Sequence, residues 1–131
     1  MTEEKTLRPE EIKLLEDIGI QSRYKTPILP HDGKPTSQSF FYKVENGDVV
    51  ELNLRNSGFE TLPENIDELK SLKTLNLSDN PLTMIPDSIG NLKSLEVLNL
   101  DHTNLTTLPE SIRNLTSLQK LNLDSNKLMT K

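Results

Sequence analysis

Residues 70–92 read KSLKTLNLSDNPLTMIPDSIGNL and residues 93–115 read KSLEVLNLDHTNLTTLPESIRNL, two stretches that align without a gap at a period of 23 residues. On either side, residues 47–69 (GDVVELNLRNSGFETLPENIDEL) form another copy and residues 116–131 (TSLQKLNLDSNKLMTK) begin a partial one. The common pattern is L-x-x-L-x-L-x-x-N-x-L-x-x-L-P-x-x-I-x-x-L. Its apolar columns begin with Val49, Leu72, Leu95 and Leu118, then Leu52, Leu75, Leu98 and Leu121, then Leu54, Leu77, Leu100 and Leu123. Phe59, Leu82, Leu105 and Leu128 follow, and the second half adds Leu62, Ile85 and Leu108, then Ile66, Ile89 and Ile112, then Leu69, Leu92 and Leu115. A unit this short cannot bury its own leucines, so the copies must stack into one continuous core.

Within each L-x-L, the two leucines point to one face of a strand and the residue between them to the other. After the strand, Asn80 and Asn126 can bond the backbone of the bending loop in their own and adjacent coils. Ser57 and Thr103 stand in that column in the other two copies, where a hydroxyl replaces part of the bonding and a slightly weaker ladder is expected. Pro63, Pro86 and Pro109 end the extended run, and Glu64, Asp87 and Glu110 suit the first turn of a short helix or 3₁₀ segment.

These columns resemble the leucine-rich repeat family, in its 23-residue intracellular subclass with L-P-x-x-I in the second half, over residues 47–131. The resemblance implies an α/β solenoid with a concave parallel β-sheet and short helical or 3₁₀ convex segments. It also implies a protein that works by binding other proteins, and the family pattern supplies no catalytic residues; no metal or cofactor is expected.

Residues 1–46 lie outside the period and read as an N-terminal cap for the first coil. Pro9, Glu10 and Glu11 start a helix of about 9–18, with Leu7 packing on Ile12, and Gly19 ends it. Ile12, Leu15 and Ile18, with Leu14 beside them, form the face that closes the core. Residues 21–39, with Pro27, Pro30, Gly33 and Pro35, read as a long irregular loop, held along the solenoid flank by Tyr24, Ile28 and Leu29 or serving as a docking arm. His31-Asp32-Gly33 reads as a turn. A capping strand over 40–44 is joined through Asn46-Gly47 to the first repeat strand as an antiparallel hairpin. Phe40, Phe41 and Tyr42 are read as core in preference to a ligand platform.

Of the 23 leucines, 19 fall from Leu52 onward, so apolar character is concentrated in the repeats although the mean hydropathy is only −0.54. No apolar run is long enough to span a membrane, and the polar start MTEEKTLRPEE lacks the apolar segment of a signal peptide. A cytoplasmic location is the expectation. With no cysteine, disulfides and thiolate metal sites are excluded. A net charge of −5 argues against nucleic acid as the partner.

On the polar side of the sheet, the third column of the repeat is Glu51, Thr74, Val97 and Lys120, and the fifth is Asn53, Asn76, Asn99 and Asn122. The seventh is Arg55, Ser78, Asp101 and Asp124, and the eighth is Asn56, Asp79, His102 and Ser125. These residues are the expected partner-binding face, and Asp79, Asp101 and Asp124 favour a protein with a basic patch. The four strands project a patch of about 250 Å², against about 800 Å² per partner in a stable interface, so loops or cap are expected to contribute. His102 beside Asp101 could be drawn as a metal or acid–base site, but a lone histidine is better read as a solvated contact residue. The scaffold or adaptor reading has one structural alternative. Because the sequence stops inside its last copy, strand 120–123 is expected to keep an open edge, through which two chains could form a weak homodimer.

Overall fold

The computed structural model describes residues 7–22, 29–30 and 40–126. Helix α1 (Pro9–Gln21) is followed by a six-stranded sheet whose spatial order is its chain order. Its strands are β1 (Leu29–Pro30), β2 (Phe40–Glu45), β3 (Asp48–Leu54), β4 (Thr74–Asn76), β5 (Val97–Asn99) and β6 (Lys120–Asn122). From β3 to β6 the strands are parallel, and Leu52, Leu75, Leu98 and Leu121 stand in register, as do Asn53, Asn76, Asn99 and Asn122. The period in the sequence is therefore one turn of the solenoid. The opposite wall carries 3₁₀ segments η1 (Glu64–Glu68), η2 (Asp87–Asn91) and η3 (Glu110–Asn114). Each is preceded by a proline in extended conformation, which stops the chain continuing as a strand and aims the acidic residue into the first turn.

Leucines and isoleucines from sheet and 3₁₀ wall meet in one core, which is completed by Leu14, Leu15 and Ile18 of α1. Burial is complete at Leu52, Leu75 and Leu98 but only partial at Leu118, Leu121 and Leu123 of the last coil. Asn80 behaves as its column requires. Its Nδ2 donates to the carbonyls of Leu54, Leu77 and Ser78, and its Oδ1 accepts the backbone N–H groups of Ser57 and Phe59. Asn126 repeats the clamp, reaching the carbonyls of Leu100, Leu123 and Asp124. At the hydroxyl positions the reach is shorter: Ser57 Oγ donates to Arg55 O and Thr103 Oγ1 to Leu100 O, each within its own coil, and Thr103 Oγ1 also contacts Asn126 Oδ1.

The cap differs from expectation in three places. Helix α1 runs to Gln21, past Gly19, and ends where Ser22 N–H bonds Ile18 O and Ser22 Oγ bonds Gly19 O. Gly19 is buried inside the helix instead of terminating it. The inward stripe is Glu11, Leu14, Leu15 and Ile18, the i, i+3, i+4, i+7 set, so Ile12 is turned outward. Leu7 packs against the core. Glu11 tolerates full burial because Arg8 Nη2 donates to its Oε2 at 2.9 Å. That guanidinium, whose pKa the Glu11 hydrogen bond raises, also donates to Glu68 O and lies 3.8 Å from Asp48. The start of the helix is thereby fastened to the first coil.

The third difference lies in the segment read as an irregular loop, where Leu29–Pro30 pairs parallel with Phe41 and Tyr42. The expectations for Tyr24, Ile28, the His31 turn and Leu128 fall outside the described residues. The hairpin is as expected and one residue longer at Glu45. Asn46 and Gly47 both have positive φ, the geometry of a type I′ turn, whose twist matches that of the flanking strands. A register shift between Lys43 and Val44 rephases β2 against β3, so that Val49 and Leu52, three apart, both face inward.

Candidate functional site

The polar face of the sheet is built from residues whose conformation is fixed by their own turns. Asn53 Oδ1 accepts the N–H of Arg55 at 3.1 Å, Asn76 Oδ1 that of Ser78 at 3.0 Å, and Asn99 Oδ1 that of Asp101 at 3.0 Å. Each is an Asx turn that bends the chain out of the strand. At the last coil the pattern changes, and Asp124 N–H donates to Asp101 Oδ1 at 2.8 Å.

Directly after the seventh column the backbone enters the left-handed region, at Asn56 (φ 54°), Asp79 (φ 59°), His102 (φ 57°) and Ser125 (φ 58°). Asn, Asp and His are the side-chain-bearing residues most enriched in that region. The composition of the eighth column is thus explained by backbone geometry before any ligand is considered. Sequence reasoning missed this, although three of the four residue types carry the signal. The backbone N–H groups of Asn56, Asp79 and His102 extend the ladder between coils past the strands, to the carbonyls of Ser78, Asp101 and Asp124.

The expected residues are brought onto one face, with one withdrawn from it. Ser78 is 6% exposed, and its Oγ donates to Asn76 Oδ1 at 2.8 Å. Charges on the face are partly consumed internally. Arg55 Nε donates to Asp79 Oδ2 at 2.8 Å, and His102 Nδ1 lies 3.8 Å from the other oxygen of Asp79. Glu51 is 3.8 Å from Lys43 on the capping strand, a residue absent from the sequence-level candidates. Residues 55 and 79 are one period plus one residue apart, which was the available clue to their pairing. Asp101, Asp124 and Lys120 have no ion-pair partner among the described residues. His102 is exposed and its carboxylate neighbour is already held by Arg55. Among the described residues, no group of three or more His, Cys, Asp or Glu side chains could hold a metal ion, and no helix is long and apolar enough to cross a membrane.

At the capped end, Phe41 lies opposite Asn53 in the antiparallel register, which places its side chain on the polar face, yet it is only 6% exposed. Phe40 and Tyr42, opposite Leu54 and Leu52, pack against the core. Phe40 and Tyr42 are thus partly buried on the core, and Phe41, the most buried of the three, forms an apolar end to the ladder of asparagines.

A sheet laid down one short strand per turn, backed by a 3₁₀ wall and leaving its outer face polar, defines a solenoid repeat protein. A family model for the leucine-rich repeat region matches residues 51–130, and the chain belongs to the leucine-rich repeat family. Among solved structures it is similar to a leucine-rich repeat protein of Leptospira interrogans, with 37% sequence identity and a TM-score of 0.63. The match covers 70% of this chain and 26% of the other, so the chain spans about a quarter of that protein's length. No curated protein matches. Proteins of this family generally mediate protein–protein interaction and are typically non-enzymatic.

Proposed function

We propose that this protein is an interaction module, acting as an intracellular scaffold or adaptor, whose concave sheet face takes a protein partner through a basic patch. The observation that carries this reading is the distribution of unpaired charge. Arg55 is engaged by Asp79 and Glu51 lies against Lys43, which leaves Asp101 and Asp124 side by side on neighbouring coils as the acidic feature of the face. Complementary charge there guides encounter and orientation more than it adds affinity. The test is capture of the major partner from the source cell's lysate by the double variant Asp101→Asn, Asp124→Lys. Asparagine at 101 keeps an acceptor for the Asp124 N–H. The control is Asp87→Lys with Glu110→Lys on the opposite wall. Loss confined to the first pair supports the reading; equal loss from both pairs, or from neither, overturns it.

A second reading, self-association through the last coil, is favoured by the incomplete burial of Leu118, Leu121 and Leu123 beside the fully buried Leu95, Leu98 and Leu100. Two chains pairing β6 strands antiparallel about a two-fold axis would cover those leucines and close at a dimer. Light scattering over a hundredfold concentration range then shows mass rising from one chain toward two, abolished by Leu121→Lys. A constant mass overturns this reading.

A further inference from the structure

The Asx turns fix more than the backbone, because a backbone N–H can only donate. Since Arg55, Ser78 and Asp101 present theirs to the side chains of Asn53, Asn76 and Asn99, the amide oxygen of each must face the turn and the NH₂ must face away. These Nδ2 groups have no partner among the described residues and are not sealed from solvent. In-register pairing stacks them one per coil. The face thus carries a row of donors at the strand repeat of about 4.8 Å, with its acidic pair at one flank.

We propose that the partner segment seated here is a polyproline II stretch carrying a basic side chain, laid across the strands with backbone carbonyls accepting from Asn53 and Asn99 and the cation on Asp101 and Asp124. This rests on the concave-face reading above. Spacing selects the conformation. Asn53 and Asn99 are two coils apart, about 9.6 Å at the usual strand separation, and one turn of polyproline II advances about 9.3 Å, bringing every third carbonyl to the same side. A β-extended segment repeats its same-side carbonyls at about 6.7 Å, which matches neither one coil nor two. Polyproline II also makes no internal hydrogen bonds, so its carbonyls are free to accept. Charge complementarity supplies the basic side chain, since Asp101 follows Asn99 by two residues, in the turn just past the end of that strand.

The experiment titrates the ¹⁵N-labelled full chain with a capped nine-residue peptide of Pro-Pro-Lys triplets, following the side-chain NH₂ resonances of Asn53 and Asn99. Capped Pro-Pro-Glu and alternating Thr-Lys peptides of equal length are the comparisons. Saturable shifts at both asparagines with Pro-Pro-Lys, and much smaller ones with the others, are expected. Asn53→Asp and Asn99→Asp each keep the acceptor for the turn, remove the donor and add negative charge. Each is expected to weaken Pro-Pro-Lys binding about fivefold, the effect of one hydrogen bond. Unchanged or tighter binding by these variants would show that charge alone directs the peptide, and would overturn the ladder while leaving the concave-face reading intact. Absent shifts at the two amides, or equal shifts with Thr-Lys, overturn the proposal even if a variant fails to fold. Failure of the concave-face reading is seen separately, in partner capture by the Asp101/Asp124 variant.

Discussion

Asn80 donates through Nδ2 to the carbonyl of Leu54 in the preceding coil at 2.8 Å, across 26 residues of chain. With two backbone N–H groups on its Oδ1, the same amide closes both edges of the bend. Replacing it by alanine leaves several buried backbone groups unpaired, each costing about 1–3 kcal/mol. Asn80→Ala is expected to lose at least about 3 kcal/mol in denaturant melts, and Asn126→Ala less, because Asn126 is half-buried.

The hydroxyl at Thr103 leaves the junction between the second and third coils without this clamp. Thr103→Asn restores the residue found at 80 and 126. It is expected to add about 1 kcal/mol and raise the melting temperature by about 3–5 °C in calorimetry. A lower melting temperature would show that the Thr103 hydroxyl is fitted to its site.

Leu98 is fully buried between Leu75 and Leu121, its neighbours in the sheet register. Leu98→Ala is expected to cost about 2–5 kcal/mol through a cavity that the adjoining coils cannot close. Leu121→Ala, at a half-buried position, should cost clearly less. Equal midpoints in urea would contradict the burial gradient along the core.

Gly90 sits in η2 where a Cβ would come within 2.6 Å of Ser111 O and 2.7 Å of Ser111 Cβ. Two coils touch there through backbone, which cannot turn aside as a side-chain tip can. Gly90→Ala is expected to cost about 1–3 kcal/mol by overpacking. The same change made at Asp67, the equivalent position one coil earlier, should be mild, and thermal melts of the two variants give the comparison.

Glu11 is a buried carboxylate whose Oε1 has no partner, held through Oε2 by Arg8. Removing the arginine strands that charge, whereas removing both groups leaves an apolar junction. The order of melting temperatures is expected to place Arg8→Met alone below the double variant Arg8→Met, Glu11→Leu. The reverse order would mean that the charge at position 11 is satisfied without Arg8.

The repeat period, the inward columns, the 3₁₀ starts after Pro63, Pro86 and Pro109, and the Asn46-Gly47 hairpin were all legible in the sequence, because each is a local preference repeated or reinforced by stacking. Leucine or isoleucine recurring two to five residues apart through a 23-residue unit has few ways to be buried other than against its own equivalents. Tertiary structure alone decided the rest. Burying the stripe with Leu14, Leu15 and Ile18 drew in Glu11 and turned Ile12 outward, a choice of helix rotation set by the first coil. The pairing of Arg55 with Asp79 and the approach of Lys43 to Glu51 decided which charges remain on the face. Those features depend on which side chains meet across coils and across the hairpin, and a linear pattern of preferences places residues on a face without saying which of them spend their charge on one another.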